Sequence, residues 1–327
     1  MVNIAVIGAG LSGLTVAHKL QSFAEVTVFE KSRGVGGRIA TRYADPYRFD
    51  HGAQFFIAKS PAFQGFLQPL IQAGVVQQWH ARFAEFSGSN LERQIQWGEE
   101  KPHYVGVPGN NAIGKYLAQG LDIQCQTPVA RCMHDGKWQL FTDADVHLGS
   151  FDWVVVTTPV TQAVPLIPDD LVASWQLADV RMQGCFSLML GFESCLDLPY
   201  DAALVRNADI SWISVNSSKP GRGSAFTLLV HATNAWADAH IDDNKSAVQA
   251  YLSEQTHMVT GIPVAEAQYV DIHAWRYANI GRQQRSMAFD PKRQIAACGD
   301  WVIQGRVEAA FTSASTIAEN MISCLSN

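Results

Sequence analysis

The sequence predicts an α/β protein in which a parallel sheet with flanking helices is interleaved along the chain with a smaller mixed α+β domain. Three observations carry this. A strand, a helix and a second strand succeed one another within about the first 30 residues, the size of a βαβ unit. Segments of the same texture return in the middle and at the end of the chain. Between them lies a different texture, of short strands mixed with helices.

Ile4–Ile7 is a continuous apolar run of strand length, Leu11, Leu14, Ala17 and Leu20 recur at helical spacing, and Val26–Phe29 is a second β-rich run. From about 60 to 105 the chain reads as mostly helical with loops. Trp153–Thr157 is an apolar, β-branched strand stopped by Pro159. Further on, Phe186–Phe192 and Phe226–His231 read as strands, Lys245–Thr256 as a helix, and Asn216–Gly223 (NSSKPGRG) as a loop by composition. Ile295–Cys298 reads as a strand. Beyond it, Val307, Ala310, Phe311, Ala314, Ile317, Ala318, Met321 and Ile322 fall on one stripe of a long helix. The expected division is residues 1–60, 105–165 and 290–327 in the parallel-sheet domain and 61–104 and 166–289 in the second.

The chain has 327 residues, enough for two domains, and 47% hydrophobic residues, enough for a sizeable core in each. A net charge of −6 does not favour a nucleic acid partner. No apolar run reaches the ~18 residues of a membrane span, and the opening residues enter a strand without the basic leader of a signal peptide. The cysteines, at 125, 132, 185, 195, 298 and 324, form no C-x-x-C pair and no zinc spacing. They read as reduced thiols of a cytoplasmic protein with no metal site.

Gly8-Ala9-Gly10-Leu11-Ser12-Gly13 fits G-x-G-x-x-G between a strand and a helix, the context of the Rossmann dinucleotide fingerprint. The first glycine permits the tight turn, the second lets backbone approach a pyrophosphate, and the third lets helix and strand pack closely. The helix N-terminus offers free N–H groups and the positive end of its dipole to the phosphates. Glu30 ends the second strand, placed to accept bonds from ribose hydroxyls and to repel a 2′-phosphate.

The residues just after Glu30 separate the dinucleotides that share this fingerprint. Lys31-Ser32-Arg33-Gly34-Val35-Gly36-Gly37-Arg38 is a second glycine-rich loop with basic residues. Here the sequence resembles the FAD-dependent amine oxidase superfamily, whose G-G-R loop wraps FAD. The resemblance implies that Lys31, Gly37 and Arg38 lie at the dinucleotide, a guanidinium being suited to phosphate or ribose oxygens. Asp50-His51-Gly52-Ala53-Gln54-Phe55 resembles the family's stretch beside the flavin ring, which places Ala53, Gln54 and Phe55 there. Val129 matches the residue whose backbone meets adenine, and Val155-Val156-Thr157-Thr158-Pro159 the strand returning under the cofactor, with Thr158 as a contact. Gly299-Asp300 and Gly305-Arg306-Val307-Glu308-Ala309-Ala310 resemble the closing motif. They imply that Asp300 faces the ribityl–pyrophosphate region and that Arg306 to Ala309 start a helix aimed at the flavin pyrimidine. The family's covalent-flavin motif S-G-G-C-Y is absent, so the FAD is expected to be non-covalent.

The likeness narrows to the renalase group, especially its bacterial members. It rests on Asn216-Ser217-Ser218-Lys219-Pro220-Gly221-Arg222, His231-Ala232-Thr233 with Trp236, Trp275-Arg276-Tyr277-Ala278, and Gly299-Asp300-Trp301. One departure is Ala309, where glycine is common. Resemblance to renalases implies oxidation of 2- or 6-dihydro isomers of NAD(P)H, with dioxygen as final acceptor and hydrogen peroxide as product. Such a hydride transfer recovers aromaticity and needs alignment more than an acid or base. The candidate pocket residues are Gln54, Asn216, His231, Trp275 and Tyr277. By its strand position alone His231 reads as a core histidine, and the resemblance makes it a pocket residue; Trp275 and Tyr277 read equally as packing. Lys219 and Arg222 read as a solvated loop or as contacts to substrate phosphates, and His51 has no assigned role. Two alternatives stay open: an oxidase of small amines, disfavoured by the absence of lysine between 246 and 291, and a non-catalytic flavin-binding redox sensor.

Overall fold

The computed structural model describes residues 1–326. The chain divides into two compact units: Met1–Ile39, Gly114–Met182 and Asn279–Asn327 form the first, and Ala40–Ile113 and Gln183–Ala278 the second. The sequence pattern places the boundaries instead at 60, 105, 165 and 290. The segment from 40 to 60 falls in the second unit because its hydrogen bonds and ring contacts run to residues of that unit.

The first unit is built on a six-stranded sheet in the order Ala288–Asp290, Ile295–Ala297, Trp153–Val156, Asn3–Ile7, Glu25–Phe29 and Asp122–Gln124. All neighbours are parallel except the first two. Ile4 to Val6 and Val154 to Val156 are fully buried, as parallel strands covered on both faces require. The Leu11–Leu20 helix buries Leu14, Val16, Ala17 and Leu20, and the closing Val307–Leu325 helix buries Phe311, Ala314, Ile317, Ala318 and Met321. Arg131–Asp135, Lys137–Phe141 and His147–Phe151 add a three-stranded antiparallel meander, whose Trp138 and Leu140 enter the same core.

The second unit holds a seven-stranded sheet in the order Tyr269–Asn279, Gln183–Phe192, Phe226–Ala232, Ile210–Val215, Ala202–Arg206, Arg82–Ser87 and Asn90–Gln96. Alternation along these strands sends Phe186, Leu188, Leu190, Ile213, Val215, Leu228 and Val230 to one face. There they pack with Ala237, Val248, Leu252 and Val259 of the helices Asn234–His240 and Lys245–Thr260. The opposite face carries Ser187, Met189, Trp212, Ser214, Leu229 and His231. His231 lies opposite Ser187 on one neighbour and Trp212 on the other.

The stretch from 60 to 105, expected to be mostly helical, contains one helix, Pro61–Gln72, and then strands. Arg82–Ser87 and Asn90–Gln96 form a hairpin through Gly88, and period-two alternation, with Ala84 and Phe86 inward, is the signal that composition obscured. No helix among the described residues is long and apolar enough to cross a membrane.

Candidate functional site

In the first unit the glycine turn connects strand to helix by close approach. A Cβ on Gly13 would meet the Gly8 carbonyl oxygen at 1.8 Å, so only glycine fits. Gly10, at the helix N-cap, faces open space instead, with nothing within 4 Å of a Cβ built there. No side chain caps this N-terminus, so its first N–H groups remain for a phosphate. The Ser12 hydroxyl is turned away and donates to the Ala310 carbonyl at 3.0 Å.

Glu30 is buried with each carboxylate oxygen engaged once: Ala9 N–H donates to Oε2 and Ser32 N–H to Oε1, both at 2.8 Å. Each oxygen keeps a second acceptor position for a ribose hydroxyl. Gly36 N–H donates to the Ala9 carbonyl at 2.8 Å, which draws the second glycine loop against the first. Arg38 and Asp300 meet in a bidentate pair at 2.8 and 2.6 Å, joining that loop to the closing motif. Lys31 bonds the Gln162 side chain, Val129 packs against the core, and Arg306 folds back on the Gly305 carbonyl. The closing helix begins at Val307 without a side-chain cap, and Ala309 is buried in its first turn. Thr158 Oγ1 is buried with no hydrogen-bond partner in the protein, the mark of a group awaiting a ligand. Open space at Gly10, uncapped helix N-termini, the Glu30 acceptors and the orphaned Thr158 hydroxyl together fit a bound dinucleotide.

In the second unit the structure gathers the segment 50–54 and the loop after Val215 around one carboxylate. Asp50 Oδ1 accepts from Thr41 Oγ1 at 2.7 Å and from Asn110 N–H at 2.9 Å. Its Oδ2 accepts from Arg222 Nε at 3.0 Å, from Arg222 Nη2, and from Lys219 Nζ at 3.5 Å. Burial alone would raise the Asp50 pKa; Lys219 and Arg222 outweigh it and hold the carboxyl below its usual range. Lys219 and Arg222 are themselves buried, with both side chains fully shielded. Neither sequence-based reading of them, as a solvated loop or as phosphate contacts, survives. The acid that pairs with both is some 170 positions away in the chain, and composition could not reveal it.

Two expected pocket residues prove to be engaged in holding this arrangement. Gln54 Nε2 donates to the Asp50 and Gly52 carbonyls at 2.6 and 2.9 Å, while its Oε1 accepts from Lys219 at 3.2 Å. Asn216 Oδ1 accepts from Asp50 N–H and Lys219 Nζ, and its Nδ2 donates to the Arg48 carbonyl. Ala53 accepts from Asn110 Nδ2 at 2.6 Å, and Phe55 enters an aromatic cluster with Trp97, His103 and Trp212.

His51 sits at the centre of the remaining residues. Its carbonyl accepts from Trp275 Nε1 at 2.7 Å and Ser187 Oγ at 2.6 Å, and its ring stacks on Trp275 with centroids 5.2 Å apart. His273 meets the same ring edge-on. Tyr277 lies two residues beyond Trp275 on the same side of its strand without joining this contact set. Six polar atoms among the described residues of this unit are buried without partners: His51 Nδ1, His103 Nδ1, Tyr200 OH, Trp212 Nε1, Ser214 Oγ and His231 Nε2. His231 is partly exposed as a residue, but Nε2 is sealed; burial, then the Lys219 charge, lower its pKa to about 4. Burial, His273 and Arg42 lower that of His51 to about 3. Both rings are therefore neutral at neutral pH. Trp212 and Ser214, polar residues alternating with Ile213 and Val215, carry a period-two signal that could have marked this face in the sequence.

Three carboxylates on this side each answer two cations. Asp50 pairs with Lys219 and Arg222, Asp271 with Arg42 and Lys245, and Glu85 with Arg93 and Arg206. None of the three is left over for a substrate ammonium.

The class defined by this fold and by the dinucleotide cradle is that of a flavin-dependent oxidoreductase. Comparison with known proteins narrows it. Residues 6–70 match the NAD(P)-binding Rossmann-like domain, and residues 91–322 match the profile described as flavin containing amine oxidoreductase. The chain belongs to the flavin-containing amine oxidoreductase family, and its cofactor is FAD. Among curated relatives it is similar to the prenylcysteine oxidase 1-like protein of Bos taurus, 42% identical over 72 residues. It is also similar to a 4,4′-diapophytoene desaturase of Staphylococcus aureus, 49% identical over 51 residues. These matches cover 21% and 15% of this chain and only 14% and 10% of the relatives' lengths. Among solved structures, cyclohexylamine oxidase from Brevibacterium oxydans superposes with a TM-score of 0.72 at 14% identity, covering 98% of this chain and 99% of that one. A wild-type putrescine oxidase bound to putrescine gives 0.68 at 12%, with the same coverage. At such identities the likeness is one of fold.

Proposed function

We propose that the protein is a renalase-like oxidase that converts 2- or 6-dihydro isomers of NAD(P)H to NAD(P)+, with dioxygen reduced to hydrogen peroxide. The observation that supports this most is that Asp50 and Asp271, near the sheet face that carries His231 and Trp275, are each paired with two cations. A small amine, which arrives as its ammonium and must lose a proton before it gives up hydride, needs a free anion, and the carboxylates at Asp50, Asp271 and Glu85 are all paired. A dinucleotide presents an uncharged dihydronicotinamide ring, which needs no free carboxylate.

The bound FAD supplies a two-electron acceptor for the hydride. The residues of the first unit assigned to hold it are Gly8 to Gly13, Glu30, Lys31, Gly37, Arg38, Val129, Thr158, Gly299, Asp300 and Arg306 to Ala309. In the substrate unit, neutral His231 contributes a partly exposed, uncharged ring to the face assigned to the carboxamide or ribose of the substrate. Trp275, fixed by its bond to the His51 carbonyl, and Tyr277 offer aromatic faces. Gln54 and Asn216 act by fixing the 50–54 segment through Lys219. Alignment of the ring is the chief demand on the protein, since loss of hydride creates an aromatic cation without proton removal.

Steady-state turnover tests the reading. In air, each isomer is expected to yield one NAD(P)+ and one hydrogen peroxide per molecule consumed. Peroxide formation only from primary amines favours the family's amine-oxidase chemistry instead, and peroxide from neither class excludes both.

A further inference from the structure

We infer that Lys219, held with Arg222 against the single carboxylate of Asp50, is a specificity-determining charge that makes the His231 side of the sheet favour an uncharged ring over the cation the same ring becomes. The inference rests on the function proposed above and adds to it the charge state for which the site is selective.

The cluster is sealed, so solvent does not dissipate its charge. Lys219 Nζ has three protons and three acceptors: Asn216 Oδ1 at 3.1 Å, Gln54 Oε1 at 3.2 Å and Asp50 Oδ2 at 3.5 Å. The Trp79 ring lies 5.3 Å from the ammonium. Arg222 uses Nε and Nη2 on Asp50 and directs Nη1 to the Gly106 and Pro220 carbonyls at 2.6 Å. Two positive charges thus share one negative charge, and one unit of positive charge is uncompensated.

The charged and titratable groups facing Lys219 are Asp50 from the 41–54 segment, Arg222 from its own loop and His231 from the adjoining strand. Gln54, Asn216 and Trp79 contribute dipoles only. The field of Lys219 reaches His231, where it acts after burial itself to disfavour a positive ring. Asp50, 3.5 Å from the ammonium, adjoins His51, whose carbonyl accepts from Ser187 opposite His231, so a substrate ring beside His231 lies in the same field.

The proposed reaction changes the ring charge and nothing else on the substrate. A C–H bond of the dihydronicotinamide breaks, both electrons leave with the hydride to the flavin, and the ring is left as an aromatic pyridinium of charge +1. The phosphates are the same before and after. The uncompensated charge at Lys219 therefore leaves substrate binding nearly untouched, weakens product binding and favours its discharge. It also opposes entry of a protonated amine.

Calorimetric titration of the FAD-loaded protein tests this with two dinucleotides differing in ring charge. One is NAD+; the other is its 1,4,5,6-tetrahydro derivative, whose neutral ring does not aromatise by giving one hydride. At pH 7 the neutral-ring dinucleotide is expected to bind at least about ten-fold more tightly. That ratio should fall toward one in Lys219→Met. It should fall independently in the unaltered protein between pH 7 and 9, as Lys219, whose pKa burial lowers to about 8, loses its proton. A ratio that stays the same in the variant and across that pH range overturns the inference while leaving the proposed function standing. Binding of neither dinucleotide at millimolar concentration overturns both.

Discussion

Replacing Asp50 by Asn removes the one negative charge that Lys219 and Arg222 share. The Oδ1 position keeps its bonds from Thr41 and Asn110, but the amide then turns its Nδ2 protons toward a guanidinium and an ammonium. Both cations are fully shielded, so neither can be hydrated in place. Removing one partner of a buried ion pair costs about 3–5 kcal/mol, most of it for the charge left behind. Lys219 limits the loss by shedding its proton, which it already does at about 8 with Asp50 present. The penalty should therefore be largest near pH 7 and shrink toward pH 9. Urea unfolding of the FAD-loaded protein measures it directly. Adding Lys219→Met to Asp50→Asn removes one of the stranded charges and should recover at least about 1 kcal/mol in a double-mutant cycle. A loss below about 1 kcal/mol for Asp50→Asn, with no coupling to Lys219, would refute the idea of a shared buried charge.

Further outcomes are expected. Glu30→Ala removes charged acceptors worth on the order of 1.5–3 kcal/mol and should weaken FAD binding roughly ten-fold or more; an unchanged dissociation constant in a folded variant would make Glu30 a brace for its loop alone. Acid precipitation should leave all the flavin in the supernatant, and colour retained on the washed pellet would contradict non-covalent binding. His51 and His231 have folded pKa values of about 3 and about 4, below the ordinary 6.5. The unfolded chain thus takes up protons first as pH falls below 6.5, and stability present above that pH is lost by about 1.4 kcal/mol per unit for each ring, down to the folded values. The paired variant His51→Gln with His231→Gln should flatten that slope, and an identical slope would show that other groups carry it. His231→Ala should slow flavin reduction by substrate with the oxidised spectrum unchanged; an unaltered rate would return His231 to the core.

The parallel-sheet unit was legible because its determinants are local. The run Ile4–Ile7, the glycine turn, the helical stripe from Leu11 and the acid at Glu30 all lie within one βαβ unit, and the stripe from Val307 is one unbroken helix. The second unit was less so. Its hairpin between Arg82 and Gln96 alternates charged and aromatic residues that also suit a helix surface, and only strand pairing decides the matter. The site was hidden for a stronger reason. Lys219 and Arg222 stand in a segment rich in Ser, Pro and Gly, the composition of an exposed loop, and their burial depends on Asp50 far away in sequence. Gln54 and Asn216 were singled out as pocket residues, and the hydrogen bonds show them supporting the segment from 50 to 54. His51 lay within the Asp50–Phe55 motif but received no role, since its contacts run largely through its backbone carbonyl.

The proposed function is tested most directly by anaerobic mixing of the FAD-loaded protein with each dihydronicotinamide isomer and with a panel of primary amines, monitoring the visible absorbance of the flavin. At least one isomer is expected to bleach the flavin rapidly and the amines to do so far more slowly, because the carboxylates beside His231 and Trp275 are already neutralised. Rapid bleaching by a primary amine, with none by either isomer, would contradict the account.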